Sequence, residues 1–213
     1  MKQIFSFTNK NEIYKKCIYA AIAHAVMVGK YDLLSEEISW DGENYLFQNM
    51  SGVRGVISFN DGIFACGIQN LHSNYLTLEK SVDECDDSIK LLFENEINPY
   101  LLLEEGNKKQ AAISALFWGD ENRIYSCCEE AEFMEKSDNV LLPYLYEFDD
   151  LKRYWSDYYE LNGDQRELID KLFERRLENE SFSLDMDVKE KLSNWFGEKH
   201  VLCLKAFKEL GII

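Results

Sequence analysis

The fold is organised by residues 38–70, which read ISWDGENYLFQNMSGVRGVISFNDGIFACGIQN. Two Asp-Gly pairs, at residues 41–42 and 61–62, separate short runs rich in β-branched and aromatic residues. This pattern is the strongest local indication of a β-hairpin that a sequence offers. In a strand, Val56, Ser58 and Asn60 would lie on one side and Ile57 and Phe59 on the other, which gives one side an apolar character. The stretch therefore predicts four short antiparallel strands.

A helix is predicted before this stretch, from Asn9 to Gly29. Asn9 and Glu12 have the spacing of a capping box, and a glycine often follows a helix end. Residues 17–28 of this helix form an apolar run that resembles a signal peptide. Glu12 lies in the long leader of that run, His24 interrupts it, and a bilayer span takes roughly 20 apolar residues. We therefore interpret residues 17–28 as part of a buried helix.

The rest of the chain predicts an edge strand at residues 1–7 and a helix at residues 82–94. It also predicts a third hairpin, with strands at residues 111–118 and 123–127 on either side of a turn at 119–122. A helix over residues 111–116 is the alternative to the first strand of that hairpin, because alanine favours helix. Four further helices are predicted in the C-terminal part, at residues 149–160, 164–177, 187–196 and 198–210.

These elements predict an α+β fold with an N-terminal helix, an antiparallel β meander of about four to six strands, and a C-terminal helical segment packed on the sheet. The 213 residues include only two prolines and no Ser/Gly-rich linker. A chain of this length buries a core without disulfides or metals. We expect one domain over residues 1–213, with a sheet-rich part at 1–127 and a helical part at 128–213.

The cysteines predict a reducing compartment. None of the six forms a C-x-x-C pair of the kind found in zinc or thioredoxin-type sites. Free and mostly buried thiols are typical of cytoplasmic proteins. We therefore expect a cytoplasmic protein whose cysteines, at positions 17, 66, 85, 127, 128 and 203, are reduced.

Two short motifs have structural interpretations that we prefer to chemical ones. Cys127 and Cys128 are adjacent on a predicted strand, so their side chains point to opposite faces and do not readily share one tetrahedral ion. Asp185 and Asp187 resemble an Asp-x-Asp metal motif, but they precede a helix, where aspartate serves as an N-cap. Neither motif predicts a metal site.

Candidate catalytic residues are few. His24 lies on the apolar face of the first helix, where we expect a hydrogen-bonded core histidine. An enzyme or small-ligand site at the sheet–helix junction would use Cys66, His72, Trp40 and Arg54. No Walker A, dinucleotide-binding, zinc-protease or Gly-x-Ser-x-Gly motif is present. The sequence predicts no catalytic residue, no cofactor and no metal, and this pocket is the alternative function.

Charge is the most informative property of the sequence. The formal net charge is −16, and residues 79–150 hold 19 acidic against 6 basic residues. A solvated acidic face that maintains solubility is one interpretation. The other is an interface that steers a basic protein, and nearby tyrosines suit such an interface. Its predicted residues are Glu129, Glu130, Glu132, Glu135, Asp149, Asp150, Tyr146 and Tyr159.

The charge also excludes classes of partner. Nucleic acids and anionic membranes require clustered positive charge, which the sequence lacks. In general character the chain resembles small acidic bacterial immunity or inhibitor proteins, although no diagnostic motif is present. That resemblance implies a protein-binding module that occludes a basic toxin or nuclease. A structural subunit that associates through its tyrosine-rich helices is a third interpretation, and the oligomeric state is left open.

Overall fold

The structure is a computed structural model that describes residues 1–31, 36–105, 108–178 and 183–209. The chain forms two compact units. The sheet unit comprises Met1–Tyr14 and Asp41–Leu145, and the helical unit comprises Lys15–Trp40 and Tyr146–Ile213. Each unit is thus built from two separate segments of chain. The single domain over residues 1–213 stays a prediction.

Seven strands form one antiparallel sheet with the order β1-β9-β8-β5-β4-β3-β2, and β6 pairs with β7 in a separate hairpin. β1 is an edge strand, as predicted. The strands are β1 (Lys2–Ile4), β2 (Ile38–Asp41), β3 (Asn44–Gln48), β4 (Val53–Asn60), β5 (Ile63–Asn70), β6 (Leu102–Glu105), β7 (Lys108–Ala111), β8 (Ala115–Asp120) and β9 (Ile124–Ser126).

In chain order, the first helix lies between β1 and β2, two short helices lie between β5 and β6, and the other helices follow β9. The predicted α+β class, with an N-terminal helix, an antiparallel sheet and C-terminal helices, is confirmed. The helices are α1 (Lys10–Met27), α2 (Leu78–Ser81), α3 (Asp87–Leu92), α4 (Glu130–Lys136), α5 (Leu142–Leu145), α6 (Phe148–Tyr158), α7 (Gly163–Glu178), α8 (Met186–Phe196) and α9 (His200–Glu209). Single turns of tighter or wider helix lie at Phe93–Ile97, Asn98–Tyr100 and Gly197–Lys199.

The predicted hairpins are present, and glycine explains two of their turns. Gly42 joins β2 to β3 with φ +60°, and Gly62 joins β4 to β5 with φ +72°. Residues with a Cβ rarely adopt these left-handed values, whereas glycine adopts them readily. The third hairpin joins β8 to β9, so strand rather than helix is correct, but the first strand, expected over residues 111–118, spans Ala115–Asp120.

The predicted helix at residues 82–94 is shorter than expected. Residues 82–85 form a turn in which the Cys85 amide donates to the Val82 carbonyl (3.0 Å), and α3 begins only at Asp87. The apolar side chains predicted for this helix are nevertheless buried together against one face of the sheet. They are Val82, Cys85, Ile89, Leu92 and Phe93. Burial of these side chains therefore does not require one continuous helix.

The opposite face of the sheet carries an aromatic cluster. Phe5, Phe117 and Phe133 are buried, and their ring centroids lie 5.5 to 6.3 Å apart in edge-to-face or tilted pairs. Phe133 belongs to α4, so this cluster attaches α4 to the sheet. Aromatic pairs of this geometry stabilise a core beyond the area that they bury.

α1 begins as predicted. The side-chain oxygen of Asn9 accepts a hydrogen bond from the Glu12 amide (3.1 Å), which satisfies one free donor of the first turn. Residues 17–28 are all buried, which confirms the predicted buried helix. Within the described part of the chain, no helix combines the length and the apolar character that crossing a membrane requires.

The helical unit has its own aromatic core. Rings of Tyr19, Phe148 and Phe173 lie 5.1 to 5.5 Å apart between centroids. The Tyr19 hydroxyl donates to Asp170 (3.2 Å), which also forms an ion pair with Lys152 (2.9 Å). Burial, followed in size by the nearby Asp170 carboxylate, raises the pKa of Tyr19 above its usual range. Tyr19 is therefore a neutral hydrogen-bond donor.

Candidate acidic site at the turn end of the sheet

Three hairpin turns meet at one end of the sheet. Asn44 of β3 pairs with Ser58 of β4, and Asn60 at the end of β4 pairs with Ile63 of β5. Ile63 in turn pairs with Asp120 at the end of β8. This register places the β2–β3, β4–β5 and β8–β9 turns side by side. We call this end of the sheet, with the adjoining segment 96–100, the turn end.

The turn end is rich in carboxylates that form no close ion pair among the described residues, although Asp120 contributes, after hydrogen bonding to Tyr125, to the raised pKa of Arg123. Among the residues that the structure describes, none of its six acidic side chains forms an ion pair within 4.0 Å. Lys10 and Arg123 are the nearby cations, and the Lys10 ammonium donates to the Asn60 carbonyl. The six acidic residues, called the turn-end carboxylates, are Asp41, Glu43, Asp61, Glu96, Asp120 and Glu121.

A hydrogen-bond chain connects two of these carboxylates. The Tyr100 hydroxyl donates to Asp41 Oδ2 (2.6 Å). Asn44 Nδ2 donates to Glu96 Oε2 (3.0 Å) and to the Tyr100 hydroxyl oxygen (3.4 Å). Burial, with a further contribution from Asp41, raises the pKa of Tyr100, so its hydroxyl stays protonated as the donor. The chain fixes four side chains from two separate segments, residues 41–44 and 96–100.

This chain lines a cleft of about 320 Å³, which also contains Glu43, Ser58, Phe59, Asn60 and Leu92. A second cleft of about 460 Å³ lies beside it, lined by Lys10, Asn11, Tyr14 and Asp61. Glu43, Phe59 and Asn60 line both clefts. The two clefts therefore adjoin, and together, with Asp41, Glu43, Asp61 and Glu96 in their lining, they are called the groove.

The predicted interface residues of α4 are partly neutralised. Glu129 forms an ion pair with Lys2 (2.6 Å), and Glu132 forms one with Lys136 (2.8 Å). Hydrogen bonding and attraction from Lys136 lower the pKa of Glu132. Glu130 accepts a hydrogen bond from the Phe5 amide (3.0 Å), whereas Glu135 is exposed. Less of the α4 charge is thus available to a partner than the sequence indicates.

The other predicted interface residues lie in the helical unit. Asp149 and Asp150 are exposed in the first turn of α6, and Asp150 pairs with Arg153 (3.0 Å). Tyr146 is half-buried, with its ring 6.3 Å from that of Tyr154.

Tyr159 does not fit an interface role. It is only 1 % exposed, and its hydroxyl lies 3.0 Å from His24 Nδ1. A ring that belongs to the core has no surface to offer a partner, so this assignment is corrected. The same contact confirms that His24 is a hydrogen-bonded core histidine.

The alternative pocket residues do not form a reactive pair. Cys66 is fully buried in β5, and burial raises the pKa of its thiol well above the usual value. His72 is exposed, and its Nε2 lies 3.2 Å from the Ser51 carbonyl. Arg54 donates to Gln69 (2.8 Å) and to the Leu102 carbonyl (3.0 Å), so its guanidinium has a structural role. Trp40 belongs to the helical unit.

Asp185 occupies the predicted N-cap position of α8 but makes no side-chain capping bond there. Its carboxylate instead pairs with Arg175 (3.0 Å). No group of three or more potential metal ligands occurs within the described ranges of the chain. All six cysteines are free, five of them buried and Cys127 half-buried.

Cys127 is expected to be the most reactive of the six thiols. Hydrogen bonds from Cys128 and then from Ser81 and Ser126 lower the pKa of its thiol, whereas burial raises that of Cys85 to about 11. The thiolate is the nucleophile. Iodoacetamide should alkylate Cys127 first at pH 7, and mass spectrometry identifies the labelled residue.

The pH dependence adds a second readout. When the pH is lowered from 8 to 7, the thiolate fraction of a thiol with an ordinary pKa near 8.5 falls roughly eightfold. Because the pKa of Cys127 is lowered, its alkylation rate should fall by less than that. Cys127→Ser should remove the fast phase, and Cys85→Ser should leave it. A fast phase that survives Cys127→Ser would show that another thiol is responsible.

Several residues of the turn end escaped prediction from sequence. The Asp-Gly pairs place Asp41 and Asp61 in turns. No local sequence pattern indicates that Asn44 contacts Glu96 or Tyr100, which lie more than 50 residues away in sequence. The available signal was the presence of acidic residues in or beside all three predicted turns: Asp41 and Glu43, Asp61, and Asp120 and Glu121. In an antiparallel meander successive turns alternate between the two ends of the sheet, so every second turn, such as those after β2 and β4, lies at the same end.

Comparisons with protein-family models, with curated proteins and with solved structures gave no match to this chain.

Proposed function

We propose that this protein binds a basic protein partner through the turn end of its sheet unit. The observation that carries the proposal is the set of six turn-end carboxylates, which have no ion-pair partner among the described residues. The sheet unit as a whole has 20 acidic and 9 basic residues, whereas the helical unit has 19 and 14. The charge excess is therefore concentrated in the unit that presents the groove.

Electrostatics supports this kind of partner. Grouped carboxylates attract a cationic protein over several ångströms and accelerate its association, and they repel nucleic acid and anionic lipid. Carboxylates that already have a cation on their own surface contribute less, because their field is partly cancelled. This is why the proposal moves from α4 to the turn end. A partner held there would have its own cationic surface covered, which is how an inhibitor or immunity protein acts.

We further propose that the protein is cytoplasmic and that it is a binding protein rather than an enzyme. Six free cysteines support a reducing, cytoplasmic environment. The candidate residues for an enzyme, Cys66 and His72, are respectively buried and engaged with the backbone. A binding protein is therefore favoured over an enzyme.

An octa-arginine peptide tests the charge requirement. Its affinity is measured by isothermal titration at an ionic strength of 0.15 M. A turn-end variant carrying Glu43→Gln, Asp61→Asn and Glu121→Gln should bind about tenfold more weakly, since each exposed ion pair contributes up to about 1 kcal/mol.

The matched control carries Glu79→Gln, Asp83→Asn and Glu94→Gln, three exposed residues of the same unit. It has the same net charge as the turn-end variant, and its affinity should stay within about twofold of the unmodified protein. Equal weakening by both triple variants would mean that only net charge matters and would overturn the proposal. If a triple variant of α4 with Glu129→Gln, Glu132→Gln and Glu135→Gln lost more octa-arginine affinity than the turn-end variant, the interface would lie on α4 instead.

A further inference from the structure

We propose that Cys127 and Cys128 form a dithiol that hydrogen peroxide oxidises reversibly to a disulfide. Cys127 is the thiol that peroxide attacks, and Cys128 is the thiol that completes the disulfide. Neither residue belongs to the turn end, so this modification site is separate from the proposed function. The two side chains occupy positions that the sequence does not predict.

The two thiols lie together because β9 ends before them. β9 ends at Ser126 and α4 begins at Glu130, so both cysteines occupy the bend between these elements. Side chains alternate between opposite faces only within a strand. The Cys128 amide donates to Ser126 Oγ (3.3 Å), and the Ser126 hydroxyl donates to the Leu116 carbonyl (2.8 Å), which fixes the bend against β8. The expected placement of Cys127 and Cys128 on a strand, with side chains on opposite faces, is therefore wrong.

The two thiols differ in accessibility. Cys127 is half-buried, whereas Cys128 is only 5 % exposed. The Cys127 thiol also has hydrogen-bonding contacts with Cys128, Ser81 and Ser126, and the Lys136 ammonium interacts electrostatically with both thiols. Reactive cysteines lie in such partly exposed surroundings with hydrogen-bonding groups and a cation close by. Cys127 is therefore the thiol that a small oxidant reaches first.

The acidities of the two thiols give the same order of reaction. Hydrogen bonding from Cys128 lowers the pKa of Cys127. The same hydrogen bond, followed in size by burial and with a smaller contribution from Glu132, raises the pKa of Cys128. Cys128 thus keeps its proton while Cys127 is a thiolate. Oxidation of Cys127 removes that negative charge, and with it the main reason why Cys128 holds its proton.

The oxidation proceeds in two steps. The Cys127 thiolate attacks one oxygen of hydrogen peroxide, the O–O bond breaks, and the hydroxide that leaves takes a proton from solvent to become water. Cys127 is then a sulfenic acid. The Cys128 sulfur attacks the Cys127 sulfur, and the sulfenic oxygen leaves as water with the Cys128 proton. Two thiols thus lose two electrons and two protons, and peroxide is reduced to two water molecules.

A disulfide between adjacent residues is strained. Consecutive Cα atoms lie about 3.8 Å apart across a trans peptide bond, whereas the Cα atoms of disulfides usually lie about 4.4–6.8 Å apart. Strained disulfides have higher reduction potentials than ordinary structural ones and are reduced more easily. We therefore expect reduced glutathione to restore both thiols.

Peptide mapping of the full chain tests the pair. The protein is treated with stoichiometric hydrogen peroxide at pH 7, denatured, alkylated with N-ethylmaleimide and digested with trypsin. Both cysteines lie in the tryptic peptide from Ile124 to Lys136, which contains no other cysteine. After peroxide treatment this peptide should lose both alkylation sites and be lighter by two hydrogen atoms than the unalkylated reduced peptide. Reduced glutathione, added before alkylation, should return both sites.

Variants assign the two roles. Cys128→Ser should lose the disulfide and leave Cys127 as a sulfenic acid, which dimedone traps. Cys127→Ser should leave Cys128 as a thiol that is alkylated after denaturation. Cys85→Ser is the matched control, because Cys85 is a buried cysteine in the core cluster against which Cys127 packs. Its removal should leave the yield of disulfide unchanged. Circular dichroism confirms that the variants are folded.

The unmodified protein tests the proposal even if a variant fails to fold. The proposal is overturned if peptide 124–136 keeps both alkylation sites after peroxide treatment, if Cys127 stops at the sulfenic acid, or if Cys127 is linked to Cys85. A disulfide that excess glutathione does not reduce would contradict the reversible modification.

Discussion

Phe133→Ala is expected to destabilise the sheet unit by about 3–5 kcal/mol, the usual effect of removing a buried aromatic ring. Phe133 is fully buried, and its ring lies 5.5 Å from that of Phe5 and 5.6 Å from that of Phe117. It is the one buried residue among the seven of α4, all of which the structure describes. The substitution therefore removes both a core ring and the main attachment of this helix.

Urea denaturation followed by circular dichroism measures the loss as a lower midpoint. Glu135→Ala is the matched control, because this residue is exposed on the same helix, and its effect should stay within about 0.5 kcal/mol. A loss below about 1.5 kcal/mol for Phe133→Ala would show that the aromatic cluster is not a tightly packed part of the core.

Gly67→Ala is expected to destabilise the protein by about 1–3 kcal/mol and to impair the cleft as well. Gly67 lies in β5, directly under the turns that follow α3. A Cβ atom there would lie 2.5 Å from Ile97 and 2.9 Å from Leu101, which is too close for an undisturbed structure. Overpacking of a filled core forces neighbouring segments to move. Here the segment that must move also carries Glu96 and Tyr100.

Two measurements check this prediction. Urea denaturation gives the change in stability, and titration with octa-arginine gives the change in affinity at the turn end, which should fall several-fold. Gly163→Ala serves as the control, since a Cβ at that position meets no atom within 4 Å. That change should be neutral or slightly stabilising. Unchanged octa-arginine affinity in Gly67→Ala would mean that β5 does not set the position of residues 96–100.

The hairpins could be predicted because their information is local. An Asp-Gly pair specifies a turn through two adjacent residues, and both predicted Asp-Gly turns are present with glycine at positive φ. The helix at residues 82–94 was predicted from apolar spacing alone. Its side chains are buried as expected, but the backbone reaches that burial through a turn at residues 82–85, a short helix and a wider turn.

The candidate site could not be predicted because it depends on strand register and on distant pairs. Asn44 meets Glu96 and Tyr100 only after β3 has paired and the segment after α3 has folded over it. The charge of α4 was overestimated for the same reason. Its partner Lys2 lies 127 residues away in sequence from Glu129, and no local pattern indicates that they pair. Sequence gives the amount of charge, whereas the fold decides which charges are compensated.

We expect the turn end, rather than net charge as a whole, to receive a basic partner. Backbone amide NMR shifts measured during titration with octa-arginine show where the peptide binds. The shifted amides should cluster at residues 41–44, 58–63, 96–100 and 119–123, and the amide signals of α4 and α6 should not shift. Shifts centred on α4, or spread evenly over both units, would contradict it.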